Sequence, residues 1–147
     1  MADLGLTHVA LTSTDLAASV DFYERYAEMT VVHRRHDALT HRNVVWMSDR
    51  RRGFVIVLLQ AERRAAELTG LAHLGVACES RDAVDRLCEL ARREGRECIG
   101  PQDYGYPVGY WAVIVDPDGH NLEVSYGQEV GLVLAGDEGR RPTVEEA

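Results

Sequence analysis

Lysine is absent from this chain of 147 residues, so all 16 basic residues are arginines. The protein therefore lacks the side-chain amine that forms Schiff bases with carbonyl substrates. Acidic residues number 24, and the formal net charge of −8 disfavours nucleic acid or an anionic membrane as a partner. No run of 18 apolar residues occurs, so the sequence predicts no membrane-spanning helix.

Cysteine is also scarce. Cys78, Cys88 and Cys98 form neither a CxxC motif nor an even set. The N-terminus has no basic region followed by an apolar stretch, which a secretory signal would need. We therefore expect reduced thiols and a cytoplasmic protein. Cys88 falls on the apolar side of a predicted helix, where core packing is the favoured interpretation.

The chain divides into two similar halves. In each half one strand pattern, at 6–11 or 71–77, precedes one helical pattern, at 16–28 or 81–94. Three strand-like runs follow each helix, at 29–36, 42–48 and 54–60 in the first half and at 97–100, 110–115 and 121–126 in the second.

These patterns predict two βαβββ modules, 4–62 and 69–127, within a single domain of residues 1–127. Residues 128–147 are expected to be a partly flexible C-terminal extension. Asp15, or Thr14 before it, can cap the first helix, and Gly95 is a typical stop for the second.

Two histidines and a glutamate occupy matching places in these halves. His8 and His73 begin the two copies, 65 residues apart, and Glu123 lies near the end of the second. Two imidazoles and one carboxylate suffice to hold a divalent metal with open coordination positions. Strand alternation places Ala10 beside His8, and Gly75 beside His73, leaving room around each ring.

The ordered set of features resembles the vicinal oxygen chelate superfamily. It consists of the tandem modules, the histidine in the first strand of each, the helix segment 15–23 and the segment Asp-Pro-Asp-Gly-His-Asn-Leu-Glu at 116–123. That superfamily includes glyoxalase I, extradiol dioxygenases, fosfomycin resistance proteins, methylmalonyl-CoA epimerase and bleomycin-sequestering proteins. The resemblance covers about residues 4–127. It implies an α+β fold in which tandem βαβββ modules form an open, cup-shaped (barrel-like) mixed sheet with helices outside.

The resemblance also implies a site. His8, His73 and Glu123 would bind Fe2+, Mn2+, Ni2+, Co2+ or Zn2+, which the sequence does not distinguish. A small organic substrate would chelate this metal through adjacent oxygens, with Glu123 also a candidate catalytic group. A homodimer is the family expectation, and the apolar run at 130–135 supports it. Whether the two histidines meet within one chain or across a swapped pair stays open.

One further position departs from the best-known members. Glyoxalase I resemblance would require a second carboxylate in the last strand of module one, and extradiol resemblance a catalytic histidine. This chain has apolar Val57 or Leu58 there, and Gln60 is a fourth ligand only if the register slips. The reaction, isomerase or lyase against ring-cleaving dioxygenase, is thus left open. A metal-free resistance protein that sequesters an aromatic ligand is the alternative.

Two other groups of residues are candidates for the pocket. An aromatic segment can form a lid over an organic ligand or simply cover an open sheet end; it contains Tyr104, Tyr106, Tyr110 and Trp111. Among His33, His36 and His41, one can face the cup as acid or base, and His36 and His41 are the catalytic candidates.

Overall fold

A computed structural model describes residues 3–62, 66–128 and 130 of the chain. Within these ranges the chain forms two helices and eight strands. The predicted C-terminal extension lies outside the described residues, except for 128 and 130. In chain order the elements are β1 His8–Ser13, α1 Leu16–Ala27, β2 Thr30–Asp37, β3 Arg42–Ser48, β4 Val55–Gln60, β5 Leu74–Ala77, α2 Arg81–Arg93, β6 Cys98–Asp103, β7 Tyr110–Val115 and β8 Asn121–Tyr126.

The strands form two four-stranded mixed sheets. Their strand orders are β1-β4-β3-β2 and β5-β8-β7-β6, so the two modules repeat one topology. The first pair in each sheet is parallel, and the others are antiparallel. The predicted α+β class and tandem βαβββ modules are confirmed. In the described part of the chain the sheets stay separate and form no closed barrel, and β1 and β5 each lie at a sheet edge.

Local sequence explains where the helices begin and end. The Asp15 carboxylate accepts a hydrogen bond from the Ala18 N–H, and the Ser80 hydroxyl does the same for the Ala83 N–H, so both helices begin at a side-chain cap. Gly95 follows α2 with φ +70, a left-handed conformation that glycine adopts without strain. Neither described helix is long and apolar enough to cross a membrane.

Each sheet has a helix face and an open face. Leu11, Ile56 and Leu58 on one helix face and Leu122 and Val124 on the other are almost fully buried in a single core cluster. The open faces carry the alternate residues, including His8 and Glu123. The core joins both modules through side chains of α1 and α2, namely Val20, Phe22, Tyr23, Tyr26, Val84, Cys88 and Ala91.

Burial defines the role of Cys88. It is fully buried in this cluster, and burial raises the pKa of its thiol to about 12. A thiol kept neutral by an apolar environment packs as a small hydrophobic group. Core packing, the interpretation that the helical pattern favoured, agrees with this position.

The Asp-Pro-Asp-Gly-His turn, residues 116–120, connects module two to module one. The Tyr23 hydroxyl donates to Asp116 Oδ2 at 2.8 Å inside the core. The Asp118 carboxylate accepts from the Thr14 N–H at 3.0 Å and from the Thr14 hydroxyl at 2.7 Å, beside the start of α1. Burial, reinforced by the Asp116 charge, raises the pKa of Tyr23, so the phenol stays a donor. The turn therefore has a structural function in joining the modules.

A second contact joins α1 to the end of α2. Glu94 accepts from the Arg25 and Arg96 guanidinium groups and, at 3.1 Å, from the Tyr26 hydroxyl. Arg25 above all, with Arg96, holds the pKa of the Glu94 carboxyl below its usual value. Within the described residues the modules of one chain thus meet through the helices and the 116–120 turn, and the His120 ring of that turn also contacts the Thr12 carbonyl of β1.

Replacing Tyr23 with phenylalanine is expected to lower the free energy of unfolding by about 1–3 kcal/mol, because Asp116 Oδ2 loses its buried donor. Urea unfolding at one protein concentration measures this loss. Tyr26→Phe is the control, since Glu94 keeps two arginine donors and the change should cost less. Equal stability losses in the two variants would contradict a special contribution of the Tyr23–Asp116 bond.

Candidate metal centre

His73 and Glu123 lie together at the edge of the second sheet. Gly75, two residues after His73, is paired with Glu123 across β5 and β8. His73 Nε2 lies 3.3 Å from Glu123 Oε2. The imidazole is partly exposed while the carboxylate is mostly buried, so solvent reaches the pair from the side of His73. A Cβ added at Gly75 would meet nothing within 4 Å, which leaves space beside the pair.

Hydrogen bonding orients both side chains. His73 Nδ1 lies 2.8 Å from the Leu71 carbonyl, which only accepts, so Nδ1 carries a proton. In the neutral ring the Nε2 lone pair then faces the Glu123 oxygen. Two electron-rich atoms at this distance attract each other only if a proton or a cation lies between them. On the other side Gln128 Nε2 donates to Glu123 Oε1 at 3.4 Å.

This donor set fits a divalent metal. A histidine whose other nitrogen donates to a backbone carbonyl is the usual arrangement of a metal ligand, because it sets the tautomer and orients the ring. A carboxylate completes an N/O pair that suits first-row divalent ions. Sequence reasoning missed Gln128 and the Leu71 carbonyl, because neither follows from a ligand motif.

His8 stands apart from this pair. It begins β1 on the open face of the first sheet and is exposed, with Nδ1 2.9 Å from the Thr7 hydroxyl oxygen. Among residues 3–62, 66–128 and 130, no group of three or more histidine, cysteine or acidic side chains is close enough to hold a metal. Within one chain the structure therefore brings together two of the three predicted ligands.

The module-one equivalent of Glu123 is Val57. Two residues after each histidine the chain pairs with the last strand of its module, Ala10 with Val57 and Gly75 with Glu123. Val57 is 8% exposed and places a methyl surface where module two has its carboxylate. The register does not slip: Gln60 points to the helix face, and its amide oxygen accepts from Asn43 at 2.8 Å.

The predicted aromatic lid is divided between the two faces. Trp111, paired with Ser125, lies on the open face, and the Tyr104 ring meets it edge-on with centroids 5.2 Å apart. Tyr110 lies on the helix face, where its hydroxyl donates to Asp85 of α2 at 2.6 Å. Tyr110 therefore packs against α2 and does not line the open face where the candidate pocket lies. Tyr106 is 45% exposed in the loop between β6 and β7.

The histidines of the first sheet also separate by face. His33 pairs with Trp46, which pairs with Val57, so His33 belongs to the open face. His36 points to the other face, with Nδ1 3.1 Å from Asn43 Oδ1. His41 lies in the turn after β2, in a left-handed conformation at φ 54. The structure thus places neither His36 nor His41 on the face that carries His8, because alternation and the turn direct them away.

His120 is buried and has partners on both ring nitrogens. Nε2 donates to the Thr12 carbonyl at 2.9 Å, and Nδ1 accepts from the Leu68 N–H at 3.4 Å. Nε2 also lies 3.4 Å from Glu67, which contacts Thr12. This ring joins the inter-module segment to β1 and has no free lone pair for a metal.

A cavity of about 270 Å³ lies elsewhere, between the end of α1 and the start of α2. Arg25, Glu28, Cys78 and Arg86 are among its lining residues, whereas His73 and Glu123 are not. This cavity is therefore separate from the candidate centre.

Two βαβββ modules in tandem, each a four-stranded mixed sheet with one helix, form a glyoxalase fold. The chain belongs to the Glyoxalase/Bleomycin resistance protein/Dioxygenase superfamily, whose sequence profile matches residues 5–124. An uncharacterized protein of Pseudomonas aeruginosa is 38% identical over 129 residues, 86% of this chain and 91% of that protein.

Solved structures of the same fold include proteins with different activities. A fosfomycin resistance protein from Listeria monocytogenes, complexed with Mn(II) and a dihydroxypropylphosphonic acid, has a TM-score of 0.70 at 19% identity over 90% of this chain and 98% of that one. An antibiotic binding protein from a Streptomyces species has a TM-score of 0.65, also at 19% identity, over 86% and 98%. At this identity the likeness shows the fold alone.

Proposed function

We propose that this protein is a metal-dependent enzyme that acts on a small organic substrate with adjacent oxygens. His73 and Glu123 hold a divalent metal together with His8. The observation that supports this proposal most is the His73–Glu123 pair, with Nε2 and Oε2 3.3 Å apart and Nδ1 donating to the Leu71 carbonyl. The pair is arranged as metal ligands are, and a divalent cation is one of the two species, with a proton, that can lie between its facing atoms.

A second copy of the chain supplies His8. In the described residues β1 and β5 each have one edge without a strand partner, and unpaired edges readily accept another strand. Leu6 and Leu71, each two residues before a candidate ligand, are 91% and 96% exposed. Pairing β1 of one copy with β5 of the other would cover these side chains and bring His8 beside His73 and Glu123. A symmetric dimer would contain two such centres.

The residues of the chain have separate roles in this proposal. The Leu71 carbonyl holds the His73 ring in its ligand tautomer, and Gln128 holds one oxygen of Glu123. A divalent ion bound there supplies Lewis-acid polarisation of two adjacent substrate oxygens. Val57, the module-one equivalent of Glu123, is apolar and supplies no second carboxylate. Glu123 is therefore the single carboxylate among the candidate ligands that could also accept or donate a proton. A site with one carboxylate differs from the glyoxalase I pattern, which has two. The proposal therefore covers isomerase, lyase and dioxygenase reactions.

A metal-free binding protein for aromatic ligands is the second candidate. The indoles of Trp46 and Trp111 lie on the two open faces, and their N–H groups are buried without a partner in the described part of the chain. Flat rings and free donors suit an aromatic ligand, as in sequestering proteins. The same indoles serve an enzyme equally well, so metal content decides between the two candidates.

Protein purified without an affinity tag and analysed by inductively coupled plasma mass spectrometry is expected to contain close to one Fe, Mn, Ni, Co or Zn ion per chain. His8→Ala should lower that content, because three ligands hold the ion better than two. Less than about 0.3 metal ion per chain, unchanged by His8→Ala, would exclude the metalloenzyme. If metal is present, oxygen uptake with catechols and a hemithioacetal assay distinguish dioxygenase from isomerase.

A further inference from the structure

Three donor groups lie together on the open face of the first sheet. Arg35 pairs with Val44 across β2 and β3, and His33 pairs with Trp46, so both basic side chains share the face of His8. The Arg35 guanidinium carbon lies 5.7 Å from the centroid of the Trp46 ring. The His33 ring meets the same indole with centroids 5.1 Å apart. These three residues form the β2–β3 donor cluster.

The indole of the cluster has no hydrogen-bond acceptor, and the guanidinium forms no ion pair, within the part of the chain that the structure describes. The Trp46 indole N–H is buried and has no hydrogen-bond partner among the described residues. Arg35 makes no ion pair within that part of the chain, in contrast to Arg25 and Arg52. The acid nearest in sequence, Asp37, already accepts from the Leu39 N–H at 2.9 Å in the turn after β2. The Leu39 N–H above all, and to a smaller extent the Arg35 charge, hold the pKa of the Asp37 carboxyl below its usual value. The donor of the cluster that lacks an acceptor in the described ranges is thus the buried Trp46 N–H.

The floor beneath the cluster is apolar. Val44 is 2% exposed and Val57 is 8% exposed, yet both lie on the open face, outside the core cluster. Trp46 lies two strands from β1, about 10 Å across the sheet. Arg35 lies one strand further and is in register with Thr12, four residues beyond His8. An organic molecule that rests on these methyl groups must therefore be longer than a single ring to reach from His8 to Arg35. Its near end would lie beside His8 and its far end beside Arg35.

We propose that the β2–β3 donor cluster binds an anionic oxygen group, a carboxylate or a phosphonate, at the end of the substrate remote from the metal. The substrate is then a flat or unsaturated organic acid, with its chelating oxygens at one end and its anion on Arg35. This inference rests on the proposed function, because it places the anion in the same cup as His8. Guanidinium fits a carboxylate or phosphonate through two parallel hydrogen bonds, and the chain has no lysine to substitute for it.

The cluster is tested with metal-free, ¹⁵N-labelled full-length protein. Its two tryptophans give two indole N–H signals, which Trp111→Phe assigns. Benzoate is expected to shift the Trp46 signal in a saturable way, and benzamide, its neutral counterpart, should bind much more weakly. Phenylphosphonate shows whether the group preferred is a carboxylate or a phosphonate, and tighter binding of either anion supports the proposal.

Arg35→Gln is expected to raise the Kd for benzoate by about tenfold or more, because a charge-assisted bidentate contact is lost. Arg34→Gln is the matched control, since Arg34 is the adjacent residue and points to the other face. Signal dispersion in each spectrum verifies the fold. Equal benzoate affinity in the two variants, equal binding of benzamide and benzoate, or no shift of the Trp46 signal would overturn the proposal.

A Co(II) titration of the same samples separates this proposal from the proposed function. Arg35→Gln should bind Co(II) as the unmodified protein does, because Arg35 is no ligand. Benzoate binding that needs Arg35 in a chain without metal affinity would retain the anion site and reject the metalloenzyme. Co(II) binding, together with benzoate binding that Arg35→Gln does not change, would retain the metalloenzyme and reject the anion site.

Discussion

Replacing His73 with alanine is expected to weaken Co(II) binding by more than about a hundredfold, as measured by isothermal titration calorimetry on metal-free protein. Removing a residue that merely orients a ligand costs about 10–100-fold in metal affinity, and removing a ligand itself should exceed that range. Glu123→Gln should have a comparable effect, because it keeps the shape of the side chain while removing its charge. Both changes act on the pair whose atoms lie 3.3 Å apart.

Two further variants distinguish the loss of a metal ligand from a general effect of removing a side chain. His36→Ala removes an exposed histidine from the other face and should leave Co(II) affinity unchanged. Gln128→Ala removes the donor to Glu123 Oε1 and should weaken binding about tenfold, as expected of an orienting residue. If His73→Ala bound Co(II) as tightly as His36→Ala, the His73–Glu123 pair would be an ion pair and not a metal centre.

The sequence predicts the helices better than the edge strands. α1 was expected at 16–28 and lies at Leu16–Ala27, because Asp15 caps it and its apolar positions recur at helical spacing. β5 was expected at 71–77 and is confined to Leu74–Ala77. Apolar alternation indicates an extended chain, but a strand also needs a partner, and residues 71–73 have none within the described chain.

Strand alternation predicted the faces of the site correctly and left its assembly open. Glu123 lies on the open face with Leu122 and Val124 opposite it, as a period of two requires. Whether His8 meets Glu123 depends on how two sheets associate, and no local pattern encodes that. The sequence does not single out Arg35, because an arginine in an alternating run is typical of a solvated strand face, and only the fold brings it to Trp46.

The 116–120 turn has a structural role, whereas Glu123, three residues after it, is a candidate metal ligand. The segment that ends in Glu123 was part of the family resemblance, yet Asp116, Asp118 and His120 bind α1 and β1 of module one. Their hydrogen bonds hold β8 against the first module from the helix side. Glu123 lies on the open face of the second sheet, and among the described residues it forms no three-ligand group with His8.

Mixing two inactive variants is expected to restore metal binding if the centre lies between copies. His8→Ala and Glu123→Gln homodimers each lack a complete set of ligands at both centres. When equal amounts are unfolded and refolded together, half of the dimers are mixed. Each mixed dimer joins the His8 of one chain to the intact His73 and Glu123 of the other, at one centre of two. Co(II) content should therefore recover to about a quarter of the unmodified level.

The matched control mixes His73→Ala with Glu123→Gln, two variants of the same module. Every centre in those mixed dimers still lacks one ligand, because His73 and Glu123 come from one chain in the proposed arrangement. No recovery is expected there, and Co(II) binding measured by dialysis and mass spectrometry compares the two mixtures. Recovery in neither mixture would place all ligands within one chain or reject His8 as a ligand. Recovery in the first alone requires that two copies share the centre, since only then does β1 of one chain meet β5 of the other.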